Sequence, residues 1–550
     1  MKDNTDSQKD DIGPKKVLEN KSGWDPIINH PIYRALWIAT VVSNIGTSMH
    51  DTGAMWLMTS LSNSALLVAL VQTAASLAIV VMALPGGALG DVLNRNKLLI
   101  FSQGYMLVIA SILAFLALFN ITTPLLLVIL TFALGLGGAL SMPLLIRLSL
   151  EMVTKEEVQI TITLGGIGMN IGRAIGPTIG GFIIAFIGPW AVFLINALSF
   201  IGIIFVLRRW QTPQERTTLP PEHINSAIRA GIRYLINSSE VKPVLIRATA
   251  FIIFGSALFA LLPSLARDSL GFNSYEYGLL LGVFGLGAII GGTFILPKIR
   301  QIISIDWLVV AASIFFAITM ILLSQLDNFF QVCIVMFGSG IGWIMLLSSF
   351  NYSMIKVGNK WVATRLFSIY QAVFQAGTAI GSTVWGQVSV QFDIRIALIL
   401  SAIGLMLGVL TITKYRLMRN GEIDNSSSMH WPIPNVIIQP DVEQKPVLIT
   451  IEYKIDLRKK DEFAKIMGEW SKIRKRDGAI RWCLYFDAEN PSIYIETFIS
   501  ESWEEHLRQH ERITVADREL ETKVRSFHID NDPPIVSHFI TKPIQRNKKK

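Results

Sequence analysis

Two charged side chains stand where charge is expensive. Asp51 falls about fifteen residues into the first long apolar run, and Arg173 lies about as deep in the fifth, inside NIGRAIGPTIGG (170–181). At about 1.5 Å per helical residue, both sit near the middle of a bilayer-length helix. A charge there costs about 2.5–3.5 kcal/mol even on lenient scales, so such residues mark ion or substrate paths. A carboxylate at that depth can take up and release a proton, whereas a guanidinium needs a carboxylate or carbonyl partner. Asp51 and Arg173 are therefore expected to lie close together or to share a water-filled cavity. A structural hydrogen bond, or a place at the outer mouth, is the plainer reading of Asp51. His50 points about 100° away around the same helix.

A second pair, His506 and His510, stands at i and i+4 and shares a helix face, the spacing of two metal ligands. No third ligand is evident nearby, and Glu505 and Arg508 suit an ordinary polar face, so no metal and no cofactor is expected. Cys333 and Cys483 are far apart and form neither a disulfide framework nor a metal set.

The elements that must position Asp51 and Arg173 follow from composition. The 550 residues are 51% hydrophobic and 16% charged, against roughly 25% charged in a soluble protein. Apolar runs of bilayer length place spans at 36–59, 65–85, 98–119, 123–148, 160–186, 190–207, 244–265, 276–296, 306–324, 328–354, 364–389 and 395–413. Lys and Arg gather in the even connections (Arg95 and Lys97, Lys155, Arg208 to Lys242, Lys298 and Arg300, Lys356 and Lys360), which puts both termini in the cytoplasm. The net charge of +8 is thereby explained by topology, without nucleic acid. No signal-peptide pattern opens the chain, and no phosphate-binding loop supports ATP drive.

The spans repeat. GRAIGPTIGG (172–181) maps onto GTAIGSTVWG (377–386) at an offset of 205 with six of ten positions identical, and Gly86-Gly87 and Arg95 map onto Gly291-Gly292 and Arg300. Two six-span halves in parallel repeat, with a path between them, are expected. Gly172, Gly176 and Gly180 recur every four residues and allow close helix contact; spans five and eleven are expected to use these faces between the halves. Pro177 and Gly181 would form a bend there.

The chain divides into a polar tail (1–33), a six-helix bundle (34–210), a central loop (211–243), a second bundle (244–417), a linker (418–446) and a small domain (447–541). In the last, PVLITIEYKI, RWCLYFD and SIYIETFI read as strands, 459–476 and 502–526 as helices, and 535–540 as a final strand. That β-α-β-β-α-β order suits a ferredoxin-like fold. The fold class is thus an all-α polytopic membrane protein of twelve transmembrane helices in two pseudo-symmetric bundles, with an α+β ferredoxin-like cytoplasmic domain.

GGALGDVLNRNK (86–97), GRAIGPTIGG, SNIGT (43–47), FLINALSF (193–200), AIRAGIRYL (227–235), ALLPSLARDSLG (260–271) and IETFISESWEEHLRQHERITVADREL (495–520) together resemble the major facilitator superfamily, in its enterobactin-exporter-like branch of transmembrane secretion effectors. The resemblance covers 30–415 and extends into the tail, which is similar to the antibiotic-biosynthesis monooxygenase fold. It implies that Gly87, Asp91 and Arg95 form a latch motif, Asp91 facing the N-terminal end of span eleven. It also implies that Gly172, Gly176, Pro177, Gly180 and Gly181 form the antiporter motif of span five. Val92 and Asn94 depart from the loop motif, and Thr131 stands where many proton antiporters carry arginine. The superfamily lines its path with spans one, four, seven and ten. The resemblance therefore adds Asn44, Met142, Phe254, Trp343, Asn351 and Tyr352 to the candidates, with Gln371 and Gln375 on span eleven.

The expected function is secondary-active export of a small organic molecule from a bacterial inner membrane by alternating access driven by protons. Siderophores or other secondary metabolites follow from the resemblance alone. Multidrug efflux shares every motif, and a tail that is enzymatic is a third reading, against the expectation that the chain is no enzyme. A homodimer through the C-terminal domain is a further possibility implied by the fold.

Overall fold

A computed structural model describes residues 23–83, 85, 94–210, 224–359, 361–417, 426, 428, 430–431 and 446–541. Gly87 and Asp91, with most of the N-terminal tail and linker, lie outside the described residues.

The first half comprises helices Pro31–Leu61, Ala65–Met82, Arg95–Leu118, Pro124–Glu151, Val158–Phe186 and Pro189–Arg209, spans one to six in order. Spans seven to twelve are Val241–Ser269, Ser274–Ile302, Ile305–Leu323, Phe329–Val357, Ala363–Phe392 and Ile394–Thr413. Among the described residues, ten of these helices are apolar and long enough to cross a membrane by length and composition. Spans one and eleven have the length, 31 and 30 residues, but are more polar. They carry Asn44, His50 and Asp51, and Gln371 and Gln375. Polarity that disqualifies a helix from lipid suits one that faces a path.

Short turns set the helix starts. Thr123, Asn273, Asn328 and Asp393 accept hydrogen bonds from first-turn amides with their side chains, satisfying donors no carbonyl can reach. Asn94, a departure from the loop motif, does the same for span three by accepting from the Lys97 amide at 3.1 Å.

The C-terminal domain is a four-stranded antiparallel sheet of β1 (Val447–Lys454), β2 (Arg481–Phe486), β3 (Ile493–Ser500) and β4 (Ile535–Ile540), ordered β2-β3-β1-β4. Helix Lys460–Asp477 follows β1. The single helix expected over 502–526 is two, Trp503–Arg512 and Val515–Arg525. The break falls at Thr514, whose side chain and Asp517 cap each other's backbone amides and start a new helix. Val447, Ile449, Phe463, Met467, Trp470 and Phe498 fill the core between sheet and helices.

His506 and His510 lie inside this domain. Burial lowers His506 to about 3 from 6.5, helped by His510 and His538, and lowers His510 to about 4, helped by Arg474 and His538. Because the folded values lie below the unfolded one, protonation favours the unfolded domain. This contribution is complete above about pH 6.5 and is lost as pH falls toward 4 and then 3. The melting temperature of the domain is expected to drop between pH 6.5 and 4.5, by roughly 1–2 kcal/mol of stability per histidine at pH 5. His510→Gln should flatten that slope; an unchanged profile in the variant contradicts the assignment.

Candidate functional site

Asp51 and Arg173 feel each other's charge across the interface of spans one and five. Among the described residues they form no direct ion pair, and both side chains are accessible although both lie mid-helix. Asp51 also interacts electrostatically with Tyr277 of span eight, in the other half. The two charges thus lie mid-helix on neighbouring spans, within electrostatic reach of each other.

The glycines bring the helices that close. A Cβ on Gly172 would meet the Asn44 carbonyl carbon at 2.8 Å, one on Gly176 the Ser48 Cβ at 2.6 Å, and one on Gly180 the Met49 Cα at 3.1 Å. The four-residue glycine face therefore packs against span one, within the first half. This corrects the expectation that it lies between the halves. Gly377 and Gly381 repeat the arrangement against Ile252, Ile253 and Ser256 of span seven. The contact between halves is made instead by Gly181, whose Cβ would lie 2.9 Å from the Gly278 Cα and 2.6 Å from the Ser274 carbonyl oxygen. Its repeat Gly386 meets Ala69 and Leu66 of span two. The 205-residue offset thus relates contacts as well as letters. Span five meets one and eight as span eleven meets seven and two.

Span five runs unbroken through Pro177, which has no N–H for the Arg173 carbonyl.

The halves also meet through side chains at one end of the bundle, where span one finishes. Trp56 stacks on Tyr277 with centroids 5.5 Å apart, and the Arg267 guanidinium lies 5.7 Å from the Trp56 ring. Arg267 donates to Thr59 Oγ1 at 3.2 Å and Ser60 Oγ at 2.5 Å. Deeper in, halfway along span two, the Thr73 and Thr383 hydroxyls lie 3.0 Å apart between spans two and eleven. Sequence reasoning missed Trp56, Tyr277 and Arg267 as partners.

The other candidates separate. Asn44 is half-buried and its backbone carries the Gly172 contact. Gln371 and Gln375 are half-buried one turn apart on span eleven, and Met142 is exposed. Trp343 sits in a ring cluster with Phe251, Phe259 and Phe316 at 5.4, 4.8 and 5.9 Å. Phe254 packs toward Gly404 and Trp385, in the body of the second half. Asn351 keeps an unpartnered Oδ1, while Tyr352 holds the Arg300 guanidinium 5.0 Å from its ring. Both lie near the end of span ten. Arg95 pairs with Glu151 at 2.8 Å at the matching end of span four. Near the same end His30 meets Glu157 at 2.7 Å, tying the start of span one to that of span five.

The C-terminal domain docks at this second end. Arg229 and Arg233 of helix Ile224–Asn237 approach Glu501 and Glu505 at 3.3 and 3.7 Å. Arg512 lies over Trp361, just before span eleven, at 4.1 Å.

A family described as "Transmembrane secretion effector" matches residues 21–548. The "Enterobactin exporter EntS" of Shigella boydii serotype 4 (strain Sb227) is 26% identical over 378 residues, covering 67% of this chain and 88% of the relative. That of Escherichia coli O1:K1 / APEC is 25% identical over 383 residues, with the same coverage. In fold, the chain is similar to the nucleoside transporter NupG (TM-score 0.59, 11% identity, 70% of this chain and 100% of that one). It is similar also to a D-xylose-proton symporter (TM-score 0.57, 13% identity, 70% and 97%).

Proposed function

The chain belongs to the transmembrane secretion effector family of major facilitator transporters, and from that premise we propose that it is a proton-coupled exporter of a small organic molecule in a bacterial inner membrane. The observation that carries this reading is the pair Asp51 and Arg173, two opposite charges set mid-helix on spans one and five within electrostatic reach of each other. Both termini are assigned to the cytoplasm. The end closed by Trp56, Tyr277 and Arg267 is then the outer side.

In this cycle a substrate enters from the cytoplasm and settles beside Arg173, with Asn44, Gln371 and Gln375 offering hydrogen bonds. The outer contacts part, a proton reaches Asp51 from outside, and the substrate leaves. Closure of the outer side returns the proton inward. Asn351, Tyr352 and Trp343 act at the wall of the second half, and Gly87, Asp91 and Arg95 latch the cytoplasmic side. A siderophore-like or other secondary metabolite is the preferred cargo, because the relatives named above are enterobactin exporters.

Inverted membrane vesicles test the coupling. They should accumulate the exported compound when acidified inside and stop when a protonophore collapses the gradient. Accumulation that survives collapse contradicts proton drive.

Deletion of residues 430–550 should leave the chemical identity of the exported compound unchanged. A compound that leaves cells in an unoxidised form only after the deletion would favour an enzymatic tail.

A further inference from the structure

The 205-residue offset relates charges as well as contacts, and at one place the charges differ. Span four (Pro124–Glu151) and span ten (Phe329–Val357) begin at that offset, so Glu151 maps onto Lys356, Arg147 onto Tyr352 and Pro143 onto Ser348. In the first half Arg95 meets Glu151 at 2.8 Å. In the second half the matching positions hold Arg300 and Lys356, two cations. Both lie against one ring: the Arg300 guanidinium is 5.0 Å and the Lys356 ammonium 5.8 Å from the centre of Tyr352. Arg300 donates to Ser348 Oγ at 3.2 Å, and its Nε is buried without a partner. Among the described residues no carboxylate pairs with Arg300.

The surroundings place this group at a bilayer surface. Tyr352 is 40% exposed, and Ile334, about five whole turns earlier on the same side of span ten, is 72% exposed. That side lies between two neighbours. Gly291 of span eight packs against Ile341 on one flank, and Gly342 packs against Phe315 of span nine on the other. Ile302 and Trp307, where spans eight and nine join, are exposed as well. An apolar stripe that ends in a tyrosine and two cations, with a tryptophan at the same level, runs from acyl chains to headgroups.

We propose that Arg300 and Lys356 hold the phosphodiester of an anionic phospholipid, which takes the part that Glu151 plays in the first half. The guanidinium donates to the phosphate oxygens, the ammonium adds charge, and an acyl chain lies along span ten toward Ile334. The lipid joins the ends of spans eight and ten as the Arg95–Glu151 pair joins spans three and four. It belongs to the leaflet on the side assigned to the cytoplasm, where anionic headgroups attract basic residues. Neither the cargo nor proton drive enters into this site.

Native mass spectrometry of the full-length protein, released from nanodiscs of equal phosphatidylcholine and phosphatidylglycerol, reads the site. The parent should retain phosphatidylglycerol in preference to phosphatidylcholine by about thirtyfold, the effect of two basic residues at an anionic surface. Arg300→Gln should cut that preference to about fivefold. Lys356→Glu, which gives the second half the first half's pairing of charges, should abolish it while keeping the parent's abundance. Excess glycerol 3-phosphate should leave the lipid in place; displacement would assign the site to a free phosphate and overturn the lipid. Equal retention of both lipids by the parent, or a preference unchanged in both variants, would also overturn the proposal.

Discussion

Asp51→Asn is expected to abolish uphill export and to leave the protein in the membrane at its normal amount. Asparagine keeps the size and hydrogen-bonding shape of the side chain but cannot release a proton. Removing one partner of a tightly paired buried ion pair costs about 3–5 kcal/mol through the orphaned charge. That penalty is avoided here, because among the described residues Asp51 and Arg173 make no direct ion pair and both side chains are accessible. Transport driven by the proton gradient should therefore fall to the level of vesicles without the protein, while downhill exchange of substrate persists. Uphill export by the variant at the parental rate would remove Asp51 from the mechanism.

The second large effect concerns the span-five glycines, which separate into two kinds. A leucine at Gly181 would drive its first carbon against the Ser274 carbonyl oxygen at 2.6 Å and the Gly278 Cα at 2.9 Å, backbone that cannot swing away. Both belong to the other half, so the overlap is relieved by the halves separating on that side. Gly181→Leu should stop export, preserve abundance, and abolish a disulfide formed between cysteines placed at Thr73 and Thr383, whose hydroxyls lie 3.0 Å apart. A leucine at Gly172 meets the Asn44 backbone at 2.8 Å inside one half. That strain has no rigid-body escape, and abundance should fall several-fold. Retained cross-linking in Gly181→Leu, or normal abundance in Gly172→Leu, would contradict this division.

These two cases also show what could be read from the residues in order. Depth along an apolar run is a one-dimensional property, so that Asp51 and Arg173 feel each other's charge could be anticipated from their positions. The glycine interval showed that another helix must come close, but not which one. Only the offset of 205, applied to contacts, links Gly181 with Gly386 as the pair that joins the halves. Trp56, Tyr277 and Arg267 escaped notice because aromatic and basic residues near span ends are common at membrane surfaces anyway. Trp343 could be placed on span ten, but its Phe251, Phe259 and Phe316 neighbours come from spans seven and nine and have no common spacing. In the C-terminal domain the strand order was legible from alternation. The helix break was not, although Thr514 followed by Asp517 is a start signal that could have revealed it.

Export itself is tested most directly by comparing the small molecules in the medium of three cultures, under iron limitation and iron repletion. One culture carries the parent protein, one carries Asp51→Asn, and one lacks the protein. A proton-coupled exporter predicts at least one organic compound that is abundant outside cells of the first culture, depleted in the medium of both others, and retained inside them. Media that match across all three cultures in both conditions would contradict it.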